Sequence, residues 1–196
     1  MLLIRPLRLG LALLLVALLG ACAHPISLDP ASTPARNEAS LLARKVAYVM
    51  NDEQRARQVT TAGGGGDKVS YFPYRDMERA IRESLRAVFS DVVVLRSASD
   101  AQALASSGAT LVFVPDIRTE SSSSSMLTWP PTRFDAVLEC KVQDAAGAPV
   151  TTVYANASGA AEFDEFKADF SLAARRSVQL LAERFVEALK KDPKLR

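Results

Sequence analysis

Among 196 residues there are one histidine, one tryptophan and two cysteines. Each scarcity removes a class of chemistry. The lone histidine, His24, lies ahead of every predicted element, which argues against histidine-based catalysis and against a histidine-rich metal site. Cys140 therefore has no histidine to activate it as a nucleophile. The four glycines at 63–66 lack the G-x-x-x-x-G-K-[ST] spacing of a phosphate loop. Charge of one sign is missing as well. With 24 Lys and Arg against 22 Asp and Glu, long-range attraction to nucleic acid is not expected. The longest apolar run, residues 9–19, falls short of the ~20 residues that a membrane-spanning helix needs. No enzyme, cofactor or metal site is expected.

The short apolar run is informative through its flanks. Arg5 and Arg8 precede it and Gly20-Ala21 follow it, which are the three parts of a secretory signal. The next residue is a cysteine. Leu19-Gly20-Ala21-Cys22 resembles the lipobox of bacterial lipoproteins. That likeness implies cleavage before Cys22 and a diacylglycerol thioether on its sulfur, with an acylated amino terminus. Each buried methylene contributes ~0.8 kcal/mol and one chain holds only marginally, so two or three chains make a lasting anchor. Cleavage there removes Arg5 and Arg8 and leaves 22 basic and 22 acidic residues. Cys140 is left without a partner, so an oxidising compartment implies no disulfide. Ala23 stands where inner-membrane retention usually shows Asp, so the resemblance implies the periplasmic face of the outer membrane. The bilayer is then the first expected partner.

Three segments follow from this reading: a signal peptide over 1–21, a lipidated proline-rich tether over 22–40, and one domain over 41–196. Pro25, Pro30 and Pro34 among small polar residues predict an extended spacer that lets the domain stand off the membrane. Within the domain, alternation predicts a strand over 45–50 and a hairpin of 58–61 with 68–72 around the glycines. Apolar positions three and four apart predict a helix over 75–89, with Met77, Ala80, Ile81, Ser84, Leu85 and Val88 inward. A β-branched strand at 91–95, a short capped helix at 100–106 and a strand at 110–117 come next. Residues 134–142 alternate with Phe134, Ala136, Leu138, Cys140 and Val142 inward, and 150–157 form the return strand. A final helix over 172–191 ends before Pro193.

Three clusters are candidate sites. Arg75, Arg79, Arg82 and Arg86 form a stripe on the outer face of the first helix, suited to phosphate headgroups or an acidic partner. Glu78 and Glu83 lie beside it, and exposed helix faces are ordinarily charged, so a solvated face competes with that reading. The serines at 121–125 predict a loop, and Met126, Leu127 and Trp129 in its second half form a contact element or a lid folded onto the sheet. Glu162, Asp164, Glu165 and Asp169 surround Phe163, Phe166 and Phe170. Their spacing fits no metal loop, and acids with a phenylalanine packing stripe are ordinary at a helix entry.

Two amphipathic helices need one sheet to cover. The expected fold is α+β, a two-layer sandwich with a mostly antiparallel sheet covered on one side by two helices. With the lipobox at Cys22, Tyr71-Phe72-Pro73-Tyr74-Arg75-Asp76, the 110–117 strand and the 134–157 hairpin, this plan is similar to the YajG-like lipoproteins. It also resembles the ABC-transport auxiliary lipoproteins. Both resemblances imply a non-enzymatic adaptor or accessory subunit in envelope assembly or transport, with another envelope protein as partner. The alternative is a protein that binds lipid or lipopolysaccharide through the arginine stripe and the Trp129 loop.

Overall fold

The computed structural model describes residues 23–64, 66–123 and 130–196. In chain order the elements are β1 (His24–Pro25), β2 (Leu42–Val49), α1 (Asp52–Ala56), β3 (Val59–Ala62), β4 (Lys68–Tyr71), α2 (Pro73–Arg86) and β5 (Phe89–Leu95). They continue as α3 (Ala101–Ser107), β6 (Leu111–Ser122), β7 (Arg133–Asp144), β8 (Pro149–Ala160), α4 (Phe163–Ala168) and α5 (Leu172–Lys191). Five strands form one sheet in the order β5-β2-β6-β7-β8, and three form a smaller one, β1-β4-β3. This is the expected α+β sandwich, with a second sheet added.

The larger sheet divides by connection length. β6, β7 and β8 are joined antiparallel over their whole lengths, whereas β2 runs parallel to both β5 and β6 through helical crossovers. Each strand's periodicity records how it is covered. β7 buries Phe134, Ala136, Leu138, Cys140 and Val142, as its alternation predicts, against the two long helices. α2 contributes Met77, Ala80, Ile81 and Leu85 to this core, and α5 contributes Ala174, Val178, Leu181, Phe185 and Leu189. Where the helices meet, the Ser84 hydroxyl donates to the carbonyls of Ala80 (2.8 Å) and Ala182 (3.3 Å), so small residues bring the backbones close. On the opposite face, α3 buries Leu104 against Ala47, Val49 and Val112. That second cover explains why β2 and the start of β6 read as continuous apolar runs.

Several expectations need correction. The spacer over 23–40 is extended, but it is packed onto the domain. Its β1 pairs in parallel with β4, Leu28 is 0% exposed and Ile26 is buried in the main core. Arg36 donates to the carbonyls of Arg86 (2.6 Å), Phe89 (3.2 Å) and Ser90 (3.0 Å), closing the turn between α2 and β5. The prolines suit such a path because it asks for few ladder donors. Serines also enter regular structure. β6 runs through Ser121 and Ser122, and the buried Ser121 hydroxyl bonds Thr61 (2.6 Å) and the Ala62 carbonyl (2.5 Å) of the small sheet. α2 starts at Pro73, where proline is pre-organised for a first turn, and stops before Phe89, which opens β5. The short helix α1, capped by Asn51 and Gln54, buries no residue and so carries no apolar period in the sequence.

Candidate functional site

The register of the strands places one end of the molecule beside the N-terminus. His24 lies opposite Val69 and Pro25 opposite Ser70, in parallel, so the chain before His24 heads toward the β3–β4 turn. His24 and Asp67 in that turn approach to 3.7 Å. Ala62, at the same end of the hairpin, is bonded by Ser121 near the end of β6. Ser121 pairs with Phe134 near the start of β7, and Phe134 pairs with Gly159 near the end of β8. α4 follows directly, and the Ser171 hydroxyl accepts from the Ser27 amide at 3.0 Å. The hairpin turn, the β6 and β8 ends, α4 and the incoming chain thus share one end. The β7–β8 turn at 145–148 and the C-terminal end of α5 lie at the other, where Thr151 bonds Asp192 at 2.8 Å.

At the shared end, α4 is built from the acids and phenylalanines read as a packing stripe. Only one of the three rings packs fully. Phe166 is buried, while Phe163 is 57% and Phe170 43% exposed. Phe163 meets Phe166 edge to face at 5.1 Å, and the Lys167 ammonium lies 4.4 Å from its ring centre. The acids have structural duties. Glu165 accepts from the Glu162 amide at 3.0 Å and holds Arg176 of α5 in a bidentate pair at 2.7 and 2.9 Å. Those bonds push its carboxyl down to about 2. Asp169 pairs with Arg175 and caps the start of α5 through the Ser171 amide. Arg176 also donates to the Ala160 carbonyl at 2.9 Å, so one guanidinium ties α4, α5 and β8 together.

The arginine stripe lies on the exposed face of α2, and each member sits beside an acid. Arg79 pairs with Asp29 at 2.9 Å and donates to the Pro30 carbonyl at 2.5 Å, so it fastens the N-terminal segment. Arg75 pairs with Asp76 at 3.1 Å and stands 3.8 Å over the Phe72 ring. Arg82 and Arg86 both approach Glu83 at 3.7 Å. Glu78 is taken by Arg55 of α1 in a bidentate pair at 2.8 and 3.0 Å. Arg79 belongs to the stripe read from the sequence, but its anchoring role depends on Asp29, 50 positions away, which no local pattern signals.

Cys140 is fully buried and burial pushes its thiol up, away from the reactive thiolate. Between α2, α5 and Leu138 the apolar core is packed closed, with no space large enough for a water molecule, so no ligand cavity lies there. Among the described residues, no group of three or more His, Cys, Asp and Glu is placed to hold a metal, and no helix is long and apolar enough to cross a membrane. Cys22, Met126, Leu127 and Trp129 lie outside the described residues.

No protein-family model matches the chain, and no curated protein matches it. Three solved structures are similar in outline. A Xanthomonas campestris protein of family DUF330 aligns with 88% of this chain and 98% of its own, at 12% identity and a TM-score of 0.49. The PelC dodecamer of Paraburkholderia phytofirmans aligns with 84% of this chain and 95% of its own, at 16% identity and a TM-score of 0.45. A lipoprotein candidate of Caulobacter crescentus aligns with 77% and 93%, at 14% identity and a TM-score of 0.32. Likeness at these levels assigns neither a family nor a partner to the chain.

Proposed function

We propose that this is a lipid-anchored envelope protein, held by acylated Cys22 to the periplasmic face of the outer membrane and serving as a non-enzymatic adaptor or accessory subunit. The observation that carries the reading is the placement of Cys22. It follows Leu19-Gly20-Ala21, and only Ala23 separates it from the first strand of a folded body. A lipid attached there tethers the whole domain. The non-enzymatic part is supported by the state of the two residues most suited to chemistry: His24 in a surface pair with Asp67, and Cys140 sealed in the core. The adaptor part is supported by β5, a strand at the edge of the larger sheet with Val94 38% exposed, which offers backbone groups to an added strand. The lipopolysaccharide alternative loses ground because Arg79 and its neighbours are engaged within the molecule.

Mass spectrometry of the mature N-terminal peptide and fractionation of wild-type and Cys22→Ser cells test the anchor. The expected result is acyl mass on Cys22 and loss of membrane association in the variant. Cys22→Ser protein that still sediments with membranes, together with a wild-type peptide lacking acyl mass, would overturn it. Photo-crosslinking in cells from positions 79 and 94 tests the adaptor role. A discrete protein adduct from position 94 is expected, and lipid adducts alone from both positions would favour the glycolipid reading instead.

A further inference from the structure

We infer that the end of the domain formed by the β3–β4 turn and α4 lies against the bilayer, with Phe163 and Phe170 entering its interface. The inference rests on the lipid anchor proposed above and deepens it. The first argument is reach. A free spacer of the 18 residues from 23 to 40 could extend about 60 Å, taking 3.3–3.6 Å per residue. The structure leaves no such length, because the chain is paired with β4 from His24 onward. Cys22 to His24 spans at most about 7 Å. An acylated Cys22 therefore holds its end of the molecule at the headgroups, and strand register decides which end that is.

The second argument is what that end exposes. Among the described residues, the exposed large hydrophobic side chains are Val94, Tyr154, Phe163 and Phe170, and the two phenylalanines belong to this end. They flank a buried Phe166 on the link between β8 and α5. Lys167 lies over Phe163 and pairs with the exposed Asp164 at 2.9 Å, so the cation sits beside the ring where headgroups would meet it. α4 itself is braced by Glu165–Arg176 and Asp169–Arg175, so the rings are presented from a fixed platform. At the other end the 145–148 turn exposes Ala145, Ala146, Gly147 and Ala148, with no aromatic ring among them.

The test uses the full lipidated protein in vesicles of phosphatidylethanolamine and phosphatidylglycerol. A polarity-sensitive fluorophore is attached through Phe163→Cys, and in a second sample through Ala146→Cys at the far end. Cys140 is fully buried and does not compete for label. If Phe163→Cys does not fold, Asp164→Cys replaces it, since that side chain is 92% exposed. The expected result is a blue shift and loss of most aqueous quenching at 163, with neither at 146. Equal quenching at both sites, in protein that still co-sediments with vesicles, overturns the docking and leaves the anchor standing. Failure to co-sediment overturns both. Shielding of 163 in the unlipidated Cys22→Ser chain without vesicles assigns the face to a second copy and also overturns the proposal.

Discussion

Gly159 lies on β8 where α5 crosses it, and its missing side chain sets the spacing between helix and sheet. A methyl group there would stand well inside contact distance of the Ala173 carbonyl oxygen and the Ser177 amide nitrogen, both backbone atoms that cannot swing aside. Ala155 and Ala157 on the same strand, with Ala173, Ala174 and Ser177 on the helix, continue this close approach. Gly159→Ala should therefore lift the first turns of α5 and cost about 1–3 kcal/mol, the usual range for overpacking. Urea unfolding should show a lower midpoint with an unchanged slope. An unaltered midpoint would mean that the helix is not seated as described. At this scale the sequence was legible where a residue belonged to a run: Cys140 is an inward position of a five-member alternation and lies where that pattern puts it. It was illegible for Ser121, whose burial depends on hydroxyl partners 59 and 60 positions away.

Elements whose period repeats several times were readable from local pattern alone. α5 shows five turns of apolar spacing and a closing Pro193, and its bounds match the expected 172–191. β7 and β8 are joined by a short turn, so their pairing follows from adjacency in the chain. β1 is two residues long and pairs with a strand more than forty positions away, which no local period can signal. α4 is the intermediate case. Its acids and aromatics read as the entry to a helix, which they are, but Asp169 ends one helix and caps the next. The join between α4 and α5 is pH-sensitive in a defined direction. Glu165 titrates in the folded chain at about 2 against a usual 4.5, first because Arg176 bonds its carboxylate and then because the Glu162 amide does. Its folded value is the depressed one. The stabilisation it brings is present above pH 4.5 and is lost as pH falls from 4.5 toward 2, where the unfolded chain binds the extra proton first. Carboxyl NMR should place the Glu165 midpoint near 2 and return it toward 4.5 in Arg176→Gln. A Glu165 midpoint near 4.5 in the wild type would show that the bridge between α4 and α5 does not form.

For the molecule as a whole, the boundary of the folding unit is the point on which sequence and structure part. The proline content of residues 23–40 suggests a spacer, since composition records what a segment cannot form by itself and not what it can lie against. The structure makes those residues part of the core. Ile26 and Leu28 are buried with Tyr71 and Tyr74 in the main cluster, Asp29 pairs with Arg79, and Arg36 holds three carbonyls at the α2–β5 turn. Burial of a large aliphatic side chain contributes about 1.5–3 kcal/mol, so Ile26 and Leu28 together supply roughly 3–6 kcal/mol. Domains of this size are stable by only about 5–15 kcal/mol in total. A chain of residues 41–196 should therefore be marginal or unfolded at room temperature, while 23–196 unfolds cooperatively at a normal midpoint. Leu28→Ala within 23–196 provides the intermediate point, with a loss of about 2–5 kcal/mol, as for a core leucine, against less than about 0.5 kcal/mol for a residue on a free tether. Thermal and urea unfolding of the three chains would rank them. Equal midpoints for 41–196 and 23–196 would restore the tether, lengthen the reach of Cys22 to tens of ångströms, and remove the reason for any one end of the domain to face the membrane.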